Sequence, residues 1–292
     1  ISDKDYVKYG HDAEPLLRSL FALDHPEYKV KDVINAYNSS RANIFENIDI
    51  DALQKHLTEC EDKYIILANN EELHSISNNE CTGQELVPYL YEKFLKQKNL
   101  KIIYDKIKLS PKNSECPYCG CVKGSNLTLD HYLAKSLFSE YSVTPLNLVP
   151  SCNHCNTSKS DKRFNNKEEQ VLHPYFDDYS DAQWIYAKFV EEKSFIFYCN
   201  PPKEWNSIKK ERLKSHFKTF KLAENYAPMA AQEISEVHLE YKTIFFNEGT
   251  EKLTEKITER FNSLRSLNVN SWKTALYQLL ATTPNCYRKV FC

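Results

Sequence analysis

Glycine is scarce, with 5 residues in a chain of 292 that holds 19 Tyr and 15 Phe. Barrels and sandwiches full of tight turns draw on glycine for their left-handed positions, so this scarcity disfavours them and favours helices. No stretch approaches eighteen consecutive apolar residues, so no membrane-spanning helix and no membrane partner is expected. The first residues, Ile1-Ser2-Asp3-Lys4-Asp5-Tyr6, form neither a basic region nor an apolar one, so no secretory leader is expected there. Charge of one sign is lacking too: 38 basic residues face 40 acidic ones, a net −2. Any attraction to nucleic acid must then come from local patches. Internal repeats and low-complexity tracts are absent. The 41% hydrophobic and 27% charged content is an ordinary globular mixture.

Cysteine is present in quantity, 10 residues, and four of them form two C-x-x-C pairs. Without an export signal, paired cysteines point to metal in a reducing cytoplasm rather than to disulfides. The expected location is cytoplasmic.

Three regions follow from the pattern. Residues 1–100 read as helical: Leu16, Leu17, Leu20 and Leu23 recur at helical spacing, as do Val30, Val33, Ile34 and Tyr37. Thr82-Gly83-Gln84-Glu85 opens a further helix with Leu86, Tyr89, Leu90, Phe94 and Leu95 on its apolar face. Residues 101–178 carry five of the cysteines, an Asp-His pair, several prolines and short β-like runs. Residues 179–292 hold a strand at Phe195-Ile196-Phe197-Tyr198 and then helices. A helix is expected from Asn206 to Asn225, with Leu213, Phe217 and Phe220 inward. Lys210, Lys214 and Lys218 form a basic stripe on it, either a solvated face or a track for phosphates. Leu253, Ile257, Phe261 and Leu264 mark another helix, and Trp272 to Leu280 the last.

Cys116-Pro117-Tyr118-Cys119 and Cys152-Asn153-His154-Cys155 are two knuckles. Thiolates two residues apart on a tight turn can address one ion, and two such turns supply the tetrahedral sulfur set that zinc prefers. Four buried hydrophobes are the bland alternative. A redox pair is disfavoured, because no thioredoxin-like pattern surrounds either knuckle. Cys121 is a spare thiol that can substitute, and His154 is expected outside the ligand set. Cys60, Cys81, Cys199, Cys286 and Cys292 are isolated.

Between the knuckles, Leu127-Thr128-Leu129-Asp130-His131 alternates and reads as a strand. Pro145-Leu146-Asn147-Leu148-Val149-Pro150 reads as its returning partner, and Cys155-Asn156-Thr157-Ser158-Lys159 as a helix start. The expected fold class is α+β: a mainly helical chain with a central zinc-stapled strand, strand, helix unit. Phosphodiester cleavage needs an activated water and neutralised charge on the departing oxygen. His131 offers an imidazole for the proton, and Asp130 with Asn156 offers oxygen ligands suited to Mg²⁺ or Mn²⁺. Neighbours on a strand face opposite ways, so a strand end or a bulge is needed for Asp130 and His131 to reach one phosphate. Asn147 can fix the His131 backbone across the loop. Each residue alone has a structural explanation; the conjunction in one pinned unit carries the reading.

This segment resembles the HNH, or ββα-metal, endonuclease family through Cys116-Pro-Tyr-Cys119-Gly120, Leu129-Asp130-His131, Asn147-Leu-Val-Pro-Ser-Cys152 and Cys155-Asn156-Thr-Ser-Lys159. His173-Pro-Tyr-Phe-Asp177 resembles the continuation in a bacterial subgroup, the HNH subunits of Septu-like and retron-linked anti-phage systems. The resemblance covers roughly a quarter of the chain. It implies a nuclease with His131 as general base, Asp130 and Asn156 as ligands of a catalytic Mg²⁺ or Mn²⁺, and Asn147 as loop anchor. It also implies structural zinc on Cys116, Cys119, Cys152 and Cys155, and an SMC- or ABC-like ATPase partner in antiviral defence. Asn156 stands where the family name has its last His, and Ala134 where the subgroup often has Pro. Lys159 and Lys162 are expected one helical turn apart, either touching the nucleic-acid backbone or serving solubility. Two alternatives remain open: a zinc-stapled binding module without catalysis, and cleavage of RNA such as tRNA rather than DNA.

Overall fold

A computed structural model describes residues 22–39, 49–77, 91–92, 98–111, 114–121, 127–190 and 194–292. Residues 16–20, Cys81 and most of the helix expected from Thr82 to Leu95 lie outside these; Tyr91 and Glu92 are helical. The chain divides into two compact units, Phe21–Asp177 and a second that contains Asp178–Cys292. Among the described residues no helix is long and apolar enough to cross a membrane.

In the first unit Leu23 lies outside any helix or strand, its amide donating to the Pro174 carbonyl. Helices α1 (Val30–Asn38), α2 (Ile50–Asn69) and α3 (Lys98–Lys108) follow among the described residues. The α1 stripe Val30, Val33, Ile34 and Tyr37 is fully buried. Asp49 caps α2 by accepting from the Ala52 amide, 3.0 Å. The buried stripe of α2 is Leu57, Glu61, Tyr64 and Ala68, so two polar groups lie on its inner face. Strands β1 (Leu127–His131) and β2 (Leu148–Cys152) pair antiparallel, from Leu127 opposite Cys152 to His131 opposite Leu148. Leu129, Val143 and Leu148 join the α1, α2 and α3 side chains in one core. Strand alternation then sends Thr128 and Asp130 to the other face, where helix α4 (Asn153–Lys159) lies. Pro145–Asn147 forms a 3₁₀ turn ahead of β2, so the returning strand starts three residues later than its sequence suggests.

The second unit holds the hairpin of β3 (Ile185–Val190) and β4 (Ser194–Cys199), then helices α5 (Ser207–Thr219), α6 (Leu222–Leu267), α7 (Trp272–Thr282) and α8 (Tyr287–Phe291). The helix expected to reach Asn225 stops at Thr219, because Lys221 takes a left-handed conformation, φ +50°. Leu213 and Phe220 are buried as expected, and so are Arg212 and His216. Gly249, φ +90°, interrupts α6. Lys256 Nζ lies 3.3 Å from Glu240 Oε1; in an unbroken helix sixteen residues would separate them by about 24 Å. α6 is therefore a helical hairpin that reverses at Gly249, a position whose dihedrals favour glycine.

Candidate active site and metal clasp

The two knuckles converge. Gly120, left-handed at φ +66°, closes the first turn, its amide donating to the Cys116 carbonyl at 2.7 Å. Cys152 ends β2 and caps α4, accepting from the Cys155 amide at 3.4 Å, while the Cys152 amide donates to Cys116 Sγ at 3.3 Å. The four sulfurs lie within 4.8 Å of one another, and Cys119 Sγ is 3.9 Å from Cys152 Sγ. A tetrahedral zinc with bonds of about 2.3 Å has sulfur–sulfur edges of about 3.8 Å, so the set can hold that ion. Hydrogen bonds from the neighbouring sulfurs, Cys116 first, hold Cys152 far below the thiol range; burial lifts Cys116 well above it. Cys121 is half-buried and bonds the Cys119 carbonyl, and His154 is exposed, outside the set.

On β1, alternation separates the two predicted chemical groups. Register is unbroken through His131, so no bulge brings them together. Asp130 faces α4 and is buried. Its Oδ2 accepts from Tyr118 Oη at 3.1 Å and lies 3.2 Å from Lys159 Nζ. Burial pushes the Asp130 carboxyl up to about 6, against the pull of the Lys159 ammonium. Asn156, half-buried, donates to Thr128 Oγ1 at 3.3 Å. Asn156 and Lys159 are thus stacked over Thr128 and Asp130, helix spacing matched to strand spacing. The oxygen donors Asp130 and Asn156 share this face, and hard oxygen donors suit Mg²⁺ or Mn²⁺. An ion there must share Asp130 with the Lys159 ammonium.

His131 is the last residue of β1 and faces the other way. Its Nε2 lies 2.9 Å from the Ser142 carbonyl, and its ring meets that of Tyr91 edge-on, centroids 4.3 Å apart. A carbonyl only accepts, so Nε2 carries the proton and Nδ1 the lone pair. Burial pushes the imidazole down to about 3, so it is neutral near pH 7.

Asn147 is fully buried and uses every hydrogen-bonding site it has. Its Oδ1 accepts from the Leu133 amide at 2.7 Å and from Tyr64 Oη at 3.2 Å. Its Nδ2 donates to the carbonyls of Leu133 at 3.1 Å and Tyr141 at 3.0 Å. Its own carbonyl takes the Tyr132 amide at 2.8 Å. The turn that leaves His131 is thereby locked. Behind it stands His173, 2.8 Å from Tyr64 Oη through Nε2, while Nδ1 accepts from the Tyr175 amide at 3.3 Å. Tyr64 was not legible as a site residue by spacing, the available signal being a polar side chain on the inner stripe of α2; His173 had entered only as the first residue of the run that resembles the family's continuation, with no role attached.

The predicted basic residues fare differently. Lys159 has a fully buried side chain and does not present an exposed contact. Ser160, left-handed at φ +46°, ends α4, so Lys162 is off the helix, its Nζ 6.0 Å above the Phe164 ring. Lys214 pairs with Glu211 at 2.7 Å, Lys210 donates to the Lys203 carbonyl, and Lys218 is exposed.

Comparison with known proteins agrees with the central segment. A family model described as HNH endonuclease matches residues 116–162. Protein ea31 of Escherichia phage lambda is 33% identical over 218 residues, covering 69% of this chain and 73% of that protein. No solved structure matches. The likeness to ea31 extends well beyond the knuckles, and the chain belongs to the same family as that phage protein, with an HNH endonuclease domain at residues 116–162.

Proposed function

We propose that this protein is a metal-dependent endonuclease that hydrolyses phosphodiester bonds, with DNA as the expected substrate. The observation that carries the reading is the meeting of β1 and α4. One strand end presents a neutral imidazole whose Nε2 is tied to a carbonyl, and the adjoining face presents the oxygens of Asp130 and Asn156. His131 Nδ1 accepts the proton of a water, and that water attacks phosphorus in line with the departing 3′ oxygen. A divalent ion bound at Asp130 and Asn156 would neutralise charge on that oxygen. The products carry 5′-phosphates. Asn147 holds the turn after His131 so that the imidazole stays aimed. Zinc on Cys116, Cys119, Cys152 and Cys155 ties the loop ahead of β1 to the junction of β2 and α4. Attack by water needs no 2′-OH, so DNA suffices and RNA is not excluded. The resemblance of the 173–177 run to anti-phage HNH subunits supports a defence role beside an SMC- or ABC-like ATPase, in the cytoplasm.

A second reading has one observation in its favour. Asp130 and Lys159 form a buried ion pair, as they would in a zinc-clasped binding module without catalysis. Incubation of plasmid DNA and of structured RNA with Mg²⁺ or Mn²⁺ separates the two. The endonuclease cleaves and His131→Ala does not. Equal behaviour of both proteins on every substrate defeats the catalytic reading.

A further inference from the structure

We infer that Lys135 is the residue through which the site grips a DNA phosphate, in place of the buried Lys159. This rests on the nuclease reading above.

The site holds two ammonium groups, and their surroundings differ. Lys159 Nζ has three oxygen neighbours: Asp130 Oδ2 at 3.2 Å, the His131 carbonyl at 2.7 Å and the Ser160 carbonyl at 3.5 Å. An ammonium has three N–H groups, so Lys159 has none left for an incoming anion. Its side chain is also 0% exposed. It works inside the site, holding Asp130 and the backbone of His131.

Lys135 sits four residues after His131, in the turn that Asn147 pins through both the amide and the carbonyl of Leu133. It is half-buried. Its Nζ lies 5.0 Å above the centre of the Tyr91 ring. Among the described residues no carboxylate and no carbonyl accepts from it. A ring face satisfies an ammonium electrostatically without consuming its N–H donors, so all three remain for an oxyanion. The same Tyr91 ring meets His131 edge-on, centroids 4.3 Å apart, which places the free cation one aromatic ring away from the imidazole. A phosphate drawn to Lys135 therefore arrives beside the group that is to activate water, and it does so on a turn that is fixed relative to β1. The spacing of charges in the sequence pointed to Lys159 because it lies in the helix after the knuckle; only the packing of α4 on β1 removes it from the surface.

The test is equilibrium binding of a short fluorescent DNA duplex in a His131→Ala background, so that no cleavage intervenes and no chelator disturbs the cysteine clasp. Lys135→Gln is expected to weaken binding about tenfold and to flatten the dependence of log affinity on log salt by about one ion. Lys135→Arg restores both, and Lys252→Gln, at a lysine of α6 paired with Glu255, leaves both unchanged. Thermal melts and zinc content of each variant report folding separately. If the background protein binds and Lys135→Gln binds equally with the same salt slope, the assignment of Lys135 is wrong while the nuclease reading stands. If the background protein fails to bind duplex at low salt, the reading of DNA as the substrate falls and this assignment with it.

Discussion

Tyr64→Phe removes one oxygen and nothing else, which makes it the sharpest probe of how the site is held. Phenylalanine keeps the ring and opens no cavity. What is lost is the Tyr64 hydroxyl between His173 Nε2 at 2.8 Å and Asn147 Oδ1 at 3.2 Å. Asn147 Oδ1 keeps the Leu133 amide, so it stays satisfied. His173 is different. Its Nδ1 already accepts from the Tyr175 amide, so its Nε2 carries the proton and the Tyr64 hydroxyl accepts it in this buried site. Loss of that buried hydrogen bond costs about 1–2 kcal/mol. Unfolding in urea at unchanged slope measures that cost. Hydrogen exchange of the Leu133 amide, which the same network protects, reports whether the turn after His131 loosens first. Asn147→Leu, which strands the Leu133 amide and two carbonyls, should cost more than Tyr64→Phe and is expected to unfold residues 21–177. A Tyr64→Phe change below about 0.5 kcal/mol, with unaltered exchange at Leu133, would refute the claim that this hydroxyl joins His173 to the site.

Three further outcomes are expected. Cys152→Ser should lose the bound zinc and lower thermal stability sharply, read by metal analysis and a melt; full zinc retention would remove Cys152 from the clasp. Asp130→Ala should destabilise by about 3–5 kcal/mol, because it leaves the Lys159 ammonium buried without its carboxylate. Adding Lys159→Met should recover part of that loss, and a neutral Asp130→Ala would show that the pair carries no structural weight. Glu61, whose carboxyl burial pushes up to about 7 although it accepts from the Val30 amide, is better tolerated protonated than charged. Its folded value is raised, so its contribution is complete below the ordinary value of 4.5 and fades as pH rises through about 7. Glu61→Gln should therefore flatten the stability profile between about pH 5 and pH 8, by up to about 3 kcal/mol, in melts across that range. An unchanged slope would mean that Glu61 does not titrate in the fold.

The parts of this molecule that follow from near neighbours in sequence were legible. Two cysteines on one turn, an alternating Leu127–His131, and the 3.6-residue rhythm of α1 and α7 need no distant information. The parts decided by packing were not. Lys159 looked like a surface cation because nothing local reveals that α4 lays it across Asp130. Tyr64 and His173 stand 109 positions apart, and only the folded chain brings them to one hydrogen bond. The end of α5 at Thr219 and the reversal at Gly249 turn on single left-handed residues, which apolar periodicity passes over. The opposite facings of Asp130 and His131 were foreseen from the pleat, with a strand end or a bulge as the two ways round it; register runs unbroken, so there is no bulge, and His131 comes last in β1.

The anchoring of Asn147 has a consequence for how such a nuclease can be inherited or engineered. The matched segment ends at residue 162 and starts at 116, yet the hydroxyl that completes Asn147 comes from α2 and the imidazole behind it from His173. A gene fragment trimmed to the matched borders would leave both behind. This HNH domain is therefore not a free-standing cassette: a recombinant between relatives keeps the turn after His131 fixed only when the strut from α2 and the brace at 173–177 are exchanged along with it.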